Sequence, residues 1–319
     1  MEQRESDEHG PGARRGPEAM AATGSTPAPS WRLPALSLLL FGVLAGGIAP
    51  WMGWAFAEAD LTAPSGAADL SRIWTSLQLY LVLCASAVLP AALLASLLRL
   101  SGVRWMDAVG IGGGKASGSS LGSWMRGLLG GVVIIFAVVG CLWLGGWLGR
   151  FPASPSAGTV LLVAAALAVA ALYEELLFRG FGFWAMERLG GPAAAIVVTS
   201  VLFAWAHSNN HAASLVGLVN TALAGALLGW LRWRGGDLWS AWGLHFGWNL
   251  ALGVLFGATT SGFGFAGRLG RAELTPKGRE QILLSGGDYG PEASLLLTVL
   301  LGMWLAVLIR RHRAGGQSG

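Results

Sequence analysis

Charged residues are scarce in this 319-residue chain, and their scarcity argues against a soluble fold. Only 12% of the residues are Asp, Glu, Lys or Arg, whereas a soluble domain usually carries about 25%. Apolar residues make up 54% of the chain, and the mean hydropathy is +0.57. We therefore expect the chain to lie mostly in a lipid bilayer. The net charge of +4 is modest and the basic residues stand mainly at the ends of apolar runs, so no nucleic-acid partner is expected.

Cysteine and the common metal signatures are also scarce or missing. The two cysteines, Cys84 and Cys141, both lie in apolar runs. We interpret them as small buried hydrophobic residues and not as a disulfide or a metal site. The zinc-protease signature His-Glu-x-x-His is absent. A metal site would therefore have to be argued from residues outside these motifs.

Long apolar runs are what the chain has in abundance. About 20 apolar residues of helix cross a hydrocarbon core. The candidate spans are 34–56, 73–98, 121–148, 158–188, 192–208, 212–232, 238–258 and 293–310. The sequence therefore predicts an all-α fold, a polytopic membrane bundle of about eight transmembrane helices.

The same runs divide the chain into regions. Residues 1–31 are rich in Gly, Pro, Arg and Glu and are predicted to form a disordered cytoplasmic tail. N-terminal transmembrane helices follow in 32–157, a catalytic core in 158–258, a polar external loop in 259–292, and the last transmembrane helix with a basic tail in 293–319. Most of the 21 Lys and Arg residues would share the side of the membrane that holds both termini. The positive-inside rule then predicts a multi-pass protein of the cell membrane with both termini cytoplasmic.

Ionisable side chains within apolar helices are functional candidates, because each costs about 2.5–3.5 kcal/mol at the membrane centre. Glu174 and Glu175 follow an uncharged run that reaches back to Leu161. Glu175 stands four residues before Arg179, which is the favourable order for a helical ion pair. Glu174 has Phe178 at that spacing and points about 100° away around the helix. A structural ion pair explains Glu175 and Arg179, but it does not explain Glu174.

Two histidines and an asparagine stand in the apolar segments that follow. His207 ends the predicted span 192–208, four residues after Phe203, and taken alone it is more simply a helix-end residue. His245 and Asn249 are four apart and share one helical face. Taken alone, they could equally be a hydrogen-bonded pair between helices.

Together, these side chains could hydrolyse an amide. A carboxylate beside an imidazole can take a proton from water. An imidazole and an amide can donate to the oxyanion that forms when water adds to a carbonyl. Glu174, His207 and His245 could instead hold zinc with an open position for water. A non-catalytic membrane scaffold or immunity-type protein, and a transporter that relays protons through these residues, are further alternatives.

Three short motifs in this order resemble those of the CPBP family. That family comprises the CAAX prenyl-protease type intramembrane endopeptidases and the bacterial bacteriocin-processing and Abi-type proteins. The motifs are Glu174-Glu175-x-x-x-Arg179, Phe203-x-x-x-His207 and His245-x-x-x-Asn249. The resemblance covers roughly 158–258, which makes this region a CPBP-type catalytic core.

The resemblance implies a role for each matching residue. Glu174 would be the general base that activates water, with His207 assisting it, and His245 with Asn249 would form the oxyanion site. Glu175 would order its helix and the neighbouring helices.

Arg179 would share this supporting role with Glu175, and Phe203 completes the second motif. The implied activity is that of an intramembrane endopeptidase of the glutamic type, acting on a membrane-associated protein or peptide substrate. No metal is expected, with zinc as the open alternative. The oligomeric state is not indicated.

This interpretation sets a condition on one helix. At a rise of 1.5 Å per residue, a helix that ended at Arg179 would leave Glu174 about 8 Å from its end, too far from the depth of His207. We therefore predict one long helix that continues through Arg188 and turns at Gly190-Gly191-Pro192, where the residue types favour a turn. A helix break soon after Arg179 would contradict the catalytic interpretation.

Overall fold

The computed structural model describes residues 103–112, 119–265 and 267–315, together with the single positions 34, 96 and 99. The predicted tail 1–31 and, apart from those single positions, the predicted spans 34–56 and 73–98 lie outside the described residues. Predictions that concern them therefore stay predictions.

The described chain is mostly helical. The helices are α1 (Trp105–Val109), α2 (Ser120–Leu144), α3 (Ala157–Glu175), α4 (Phe183–Ala206), α5 (Leu215–Gly235), α6 (Trp239–Asn249), α7 (Pro276–Glu280), α8 (Ile282–Ser285) and α9 (Leu295–Gly315). Two π-helical segments, Leu176–Gly182 and Leu250–Leu255, follow α3 and α6 directly. Two 3-10 turns, Gly287–Tyr289 and Pro291–Ala293, precede α9.

A small sheet accompanies the helices and was not part of the all-α prediction. Strand β1 (Leu148–Pro152) pairs antiparallel with β2 (Gly270–Leu274), with Leu148 opposite Leu274. The polar segment 259–292 therefore folds back onto the end of α2. This pairing joins distant parts of the chain, and no sequence pattern near β1 predicts it.

Within the described residues, four helices are long and apolar enough to cross a membrane. They are Ser120–Leu144, Ala157–Ala206, Leu215–Gly235 and Leu295–Ala314. Helix α6 and its π-helical continuation occupy the predicted span 238–258 but end at Leu255 and do not count among the four. The prediction of a membrane protein built from apolar helices agrees with this fold, and the number of eight spans is not confirmed.

The long helix required by the catalytic interpretation is present. The chain stays helical over residues 157–190, because the π-helical segment Leu176–Gly182 joins α3 to α4 without a break. The non-helical residue is Gly191, with φ 78° and ψ 177°, immediately before Pro192. The helix therefore continues through Arg188 and kinks at the predicted turn, which confirms both predictions.

Serine side chains fix where three of the long helices begin. The hydroxyls of Ser119, Ser156 and Ser214 each accept a hydrogen bond of 3.1 Å from a main-chain N–H in the first turn of α2, α3 and α5. Such caps satisfy an otherwise unpaired N–H and contribute about 1 kcal/mol each. Helix α5 ends at Gly236, whose φ of 72° suits glycine.

Glycines bring α2 and α6 into unusually close contact. A Cβ atom at Gly127 or Gly131 would overlap a main-chain oxygen of α6, and one at Gly243 or Gly247 would overlap a main-chain oxygen of α2. Each helix thus presents a small-x-x-x-small motif to the other, as is common between membrane helices. This packing fixes the position of α6, which carries His245.

The interpretation of Cys141 as a buried residue is wrong. Cys141 is exposed on α2, on the same face as the exposed side chains of Val133 and Leu144. Apolar surroundings in the sequence did not distinguish the protein core from the lipid-facing side of a membrane helix, because both are apolar.

Candidate active site

A cavity of about 140 Å³ lies among α3, α4, α5 and α6 and the segment that follows α6. The four predicted catalytic residues all line it: Glu174, His207, His245 and Asn249. Other polar residues in the lining are Asn210, Asn220, Thr221, Thr260, Ser261 and Glu292. The rest of the lining is mostly aliphatic and aromatic, which suits a peptide segment taken from a membrane.

Glu175 and Arg179 form a fully buried ion pair beneath this cavity. Arg179 Nη1 donates to Glu175 Oε1 at 3.1 Å, and both side chains have no exposed surface. Arg179 Nη2 donates to the carbonyl of Gly225 at 3.1 Å, and the guanidinium lies 4.3 Å from the ring centre of Phe203. The predicted ion pair is confirmed, and its partners come from three different helical segments.

The π-helical segment around Arg179 is hydrogen-bonded to Arg232 of α5. Hydrogen bonds in a π-helix connect residues five apart, which alters the usual pairing of carbonyls. The carbonyl of Arg179 accepts a hydrogen bond of 3.0 Å from Nε of Arg232, whose Nη2 donates to the carbonyl of Ala108 at 3.3 Å. Sequence reasoning did not single out Arg232, because an Arg at the end of an apolar helix resembles an ordinary interface residue.

His245 lies between the two glutamates. Its Nδ1 is 2.9 Å from Glu175 Oε1, and its Nε2 is 3.8 Å from Glu174 Oε2. Because an ionised carboxylate only accepts hydrogen bonds, Nδ1 carries a proton and donates a hydrogen bond to Glu175. This bond fixes the ring so that Nε2 faces Glu174. We call Glu174, Glu175, Arg179 and His245 the Glu174 cluster.

Glu174 and Glu175 each have a buried Oε2 without a hydrogen-bond partner among the described residues. They differ in exposure and in the other oxygen: the Glu174 side chain is 19% exposed, whereas Glu175 is fully buried and its Oε1 joins Arg179 and His245. The distance of 3.8 Å to His245 Nε2 is longer than a hydrogen bond. The sequence interpretation paired Glu174 with His207, whereas the histidine beside Glu174 in the structure is His245.

His207 follows α4 directly and is held by its own helix. Its Nδ1 is 2.8 Å from the carbonyl of Phe203, and since a carbonyl only accepts, Nδ1 is the protonated nitrogen. With its single proton on Nδ1, the ring would offer Nε2 as the acceptor. The Phe203 ring lies 4.6 Å from the His207 ring and 5.9 Å from the His245 ring. Phe203 thus contacts both histidines, which gives this motif residue a packing role.

A second carboxylate on the cavity was not found from the sequence. Glu292 Oε1 accepts from Trp248 Nε1 at 2.8 Å. Its Oε2 accepts from the hydroxyl of Ser261 at 3.0 Å and also from the main-chain N–H of Ser261. The main-chain carbonyl of Glu292 accepts from Asn220 Nδ2 at 2.8 Å. We call Glu292, Trp248, Ser261 and Asn220 the Glu292 cluster.

Burial dominates the electrostatics of Glu292. It raises the pKa of the Glu292 carboxyl, while the donors of Trp248 and Ser261 act in the opposite direction because they favour the ionised form. Sequence reasoning assigned this residue to the polar loop 259–292, since its partners lie 31, 44 and 72 residues away and leave no local spacing. The one available signal was an acidic residue directly before the apolar run of α9.

The side chains as placed do not fit the alternative zinc site. Glu174, His207 and His245 were its candidate ligands, yet no three His, Cys, Asp or Glu side chains of the described residues are arranged to hold a metal ion. Nδ1 of each histidine already has another partner. No step proposed below therefore passes through a metal, and the absence of a metal requirement stays a prediction.

Comparison with known proteins adds one match. No curated protein and no solved structure matches the chain. Residues 156–251 match the family model described as Type II CAAX prenyl endopeptidase Rce1-like. The match begins at the N-cap of α3 and ends just after Asn249, so it covers the three motifs and leaves out Glu292. It confirms the resemblance to the CPBP family of intramembrane proteases and places the similarity in the α3–α6 region.

Proposed function

We propose that the protein is an intramembrane endopeptidase of the glutamic type, in which Glu174 activates water for attack on a peptide bond. The observation that carries the proposal is that Glu174, unlike Glu175, lines the cavity, with its buried Oε2 beside His245 and without a hydrogen-bond partner among the described residues. Burying a carboxylate without a hydrogen bond is costly, and such costs are typical of functional sites.

Proton transfer begins and ends at Glu174 in this proposal. Glu174 takes a proton from water as the water oxygen bonds to the carbonyl carbon of the substrate, and the carbonyl electron pair moves onto oxygen. When the tetrahedral intermediate collapses, the C–N bond breaks and Glu174 returns the proton to the leaving nitrogen. The products are a new carboxyl terminus and a free amine. His207 assists through Nε2, the nitrogen that its bond to Phe203 leaves unprotonated.

His245 and Asn249 stabilise the oxyanion in this proposal. Both line the cavity, one helical turn apart on α6. His245 can donate from Nε2 only as an imidazolium, since Nδ1 already donates to Glu175. Two glutamates beside one arginine and one imidazolium give a cluster without net charge, so the surroundings favour this protonated form.

Glu175 and Arg179 act as positioning residues. Their ion pair holds His245 from one side and ties the π-helical segment to α5 through the carbonyl of Gly225. They touch no reacting atom in this proposal. Their loss is therefore expected to lower the amount of folded protein before it alters the chemistry.

The proposal is tested on purified protein in detergent. The substrate is a fluorogenic peptide that contains S-farnesylcysteine followed by three aliphatic residues. The wild type should cleave it, the Glu174→Gln variant should not, and an exposed Glu→Gln control at Glu280 should cleave it as the wild type does. Equal rates for Glu174→Gln and wild type would contradict the proposal. Loss of wild-type activity after chelation, restored by zinc, would favour the metal alternative instead.

A further inference from the structure

The short helix α8 exposes three consecutive aliphatic side chains. Ile282 and Leu283 are 58% and 56% exposed, and Leu284, which is also exposed, completes the run. A single exposed leucine is ordinary on a protein surface. A run of three such side chains in water is a liability unless it contacts something apolar. We call Ile282, Leu283 and Leu284 the α8 tip.

Hydrogen bonds on both sides hold the α8 tip to the rest of the fold. Directly before the tip, the side chain of Gln281 accepts a hydrogen bond of 2.7 Å from Trp147 Nε1. Directly after it, the hydroxyl of Ser285 donates to the carbonyl of Gly278 at 2.7 Å. The exposure of the tip is therefore a fixed feature of the fold and not that of a loosely held loop.

The same contacts place the α8 tip beside the end of a helix that can cross the membrane. Helix α2 ends at Leu144, and the side chains of Trp143 and Leu144 in its last turn are 57% and 80% exposed. Trp147 follows that end and holds Gln281, and Lys277 Nζ lies 4.6 Å from the centre of the Trp147 ring. Tryptophan and lysine are typical of the membrane–water interface, because each joins an apolar body to a polar end. The tip therefore lies where the lipid-facing surface of α2 ends.

The charges near the α8 tip nearly cancel. The charged residues of 276–288 are Lys277, Arg279, Glu280 and Asp288, which balance. The two strands and the loop before β2 add Arg150, Arg268, Arg271 and Glu273. Since Arg271 and Glu273 are paired at 2.7 Å, Arg150 and Arg268 remain as a small positive excess. We therefore expect the apolar side chains, and not the charge of lipid headgroups, to hold the tip at a bilayer.

We propose that α8 is an interfacial membrane anchor, in which Ile282, Leu283 and Leu284 insert into the headgroup–acyl boundary of the bilayer beside the end of α2. The segment 259–292, which the sequence predicted as a polar external loop, is then attached to the lipid surface near its C-terminal end. This segment also supplies Glu292 to the lining of the catalytic cavity. The inference goes beyond the proposed protease function, because no residue of the α8 tip lines that cavity.

Fluorescence quenching in lipid nanodiscs tests the anchor. The full chain carries Cys84→Ala, Cys141→Ala and Leu283→Cys, and its single thiol is labelled with the polarity-sensitive dye NBD. The nanodiscs contain neutral phosphatidylcholine only. An interfacial segment lies about 5–10 Å into the headgroup–acyl boundary. A nitroxide near the top of the lipid chains should therefore quench the dye more strongly than a nitroxide at the chain ends, and more strongly than iodide in the water.

Two reference positions calibrate the measurement. Native Cys141, labelled in the Cys84→Ala chain, lies exposed on α2. Asp288→Cys, in the chain without the two native cysteines, places the dye at an exposed polar position of the same segment as α8. The dye at position 283 should respond to lipid nitroxides as the Cys141 reference does, whereas iodide should quench the dye at position 288 more strongly. Ile282→Cys replaces Leu283→Cys where the latter lowers the yield of monodisperse protein.

Three results would overturn the proposal. Stronger quenching by iodide than by lipid nitroxides at position 283 would show that the α8 tip lies in water. Protection from both quenchers would show that another part of the chain, or a second copy of it, covers the tip. Quenching by lipid nitroxides only after anionic lipid is added would show a contact driven by charge and not by the three apolar side chains. None of these measurements requires cleavage of a peptide, so failure of the proposed protease activity leaves the test intact.

Discussion

The Glu174 cluster and the Glu292 cluster each contribute one carboxylate to the lining of the same cavity, yet Glu174 and Glu292 are hydrogen-bonded in opposite ways. Glu292 accepts hydrogen bonds at both oxygens, from Trp248 and from Ser261. Glu174 leaves Oε2 unpaired, at 3.8 Å from the nearest histidine nitrogen. A carboxylate with both oxygens occupied is suited to hold a wall in place, whereas one with a free oxygen can still accept a proton. Burial alone therefore does not distinguish a catalytic glutamate from a structural one.

Glu175 extends the comparison within the first cluster. Like Glu292, it is buried, and its Oε1 joins Arg179 and His245. Its Oε2 has no hydrogen-bond partner among the described residues, as in Glu174, but Glu175 does not line the cavity and Glu174 does. Glu174 and Glu175 are adjacent in one helix and have different roles in this account, because their side chains point in directions about 100° apart. The predictions below test this division, from the largest expected effect to the smallest.

Replacing Glu174 by Gln should have the largest effect on activity. It removes the proposed base and keeps the size of the side chain, so the cleavage rate should fall by about 10²–10⁴-fold while the protein stays folded. Peptide cleavage followed by mass spectrometry, with thermal unfolding in detergent as the folding measure, checks both parts. Glu280→Gln is the matched control, because Glu280 is exposed and far from the cavity lining.

Replacing Arg179 by Ala should have the largest effect on stability. It leaves Glu175 as a buried charge without its partner, which is expected to cost about 3–5 kcal/mol. The yield of monodisperse protein and the Tm in detergent measure this loss. Arg104→Ala is the control, since the Arg104–Asp107 pair is exposed and such pairs contribute little. Similar Tm values for the two variants would contradict the structural role of Arg179.

Replacing Gly243 by Ala should disturb both clusters together. Its Cβ would overlap the main chain of α2 at Trp124, and α6 would have to move with His245 and Trp248. We expect a loss of about 3 kcal/mol and reduced cleavage, measured by Tm and initial rate. Gly140→Ala should leave both unchanged, because a Cβ at Gly140 would meet nothing within 4 Å.

Replacing Trp248 by Phe should have the smallest of these effects. It removes the donor to Glu292 Oε1 and leaves that oxygen unpaired, at a cost of about 1–3 kcal/mol. Urea unfolding in detergent measures the change. Trp124→Phe is the matched control, because Trp124 Nε1 has no hydrogen-bond partner among the described residues. An equal loss in both variants would show that ring packing, and not the bond to Glu292, causes it.

The features that were predicted from the sequence depend on local chemistry. The Glu175–Arg179 pair follows from a spacing of four in a helix, and the kink at Gly191 from a Gly-Pro step. The continuation of the helix past Arg179 followed from the depth that Glu174 and His207 must share. Each of these conclusions needed only residues close together in the chain or the thickness of a bilayer.

The features that were missed depend on rotation about helix axes and on distant contacts. The contact of Glu174 with His245 Nε2 at 3.8 Å is set by how α3 and α6 are rotated, and the sequence did not predict it. The assistance of His207 to Glu174 stays a prediction. The role of Glu292 depends on partners as far as 72 residues away. The π-helical turns after Glu175 and Asn249 are stabilised by tertiary contacts and have no compositional signature.

A side-by-side measurement of kcat for Glu174→Gln and Glu292→Gln on the fluorogenic farnesylated peptide tests the central claim most directly. The account predicts that kcat of the Glu174→Gln variant falls by about 10²–10⁴-fold, whereas the folded Glu292→Gln variant keeps a kcat close to that of the wild type, because both oxygens of Glu292 are bonded to the cavity wall. A wild-type kcat for Glu174→Gln, or the same fall in kcat for both folded variants, would contradict the assignment of catalysis to Glu174 and of a structural role to Glu292.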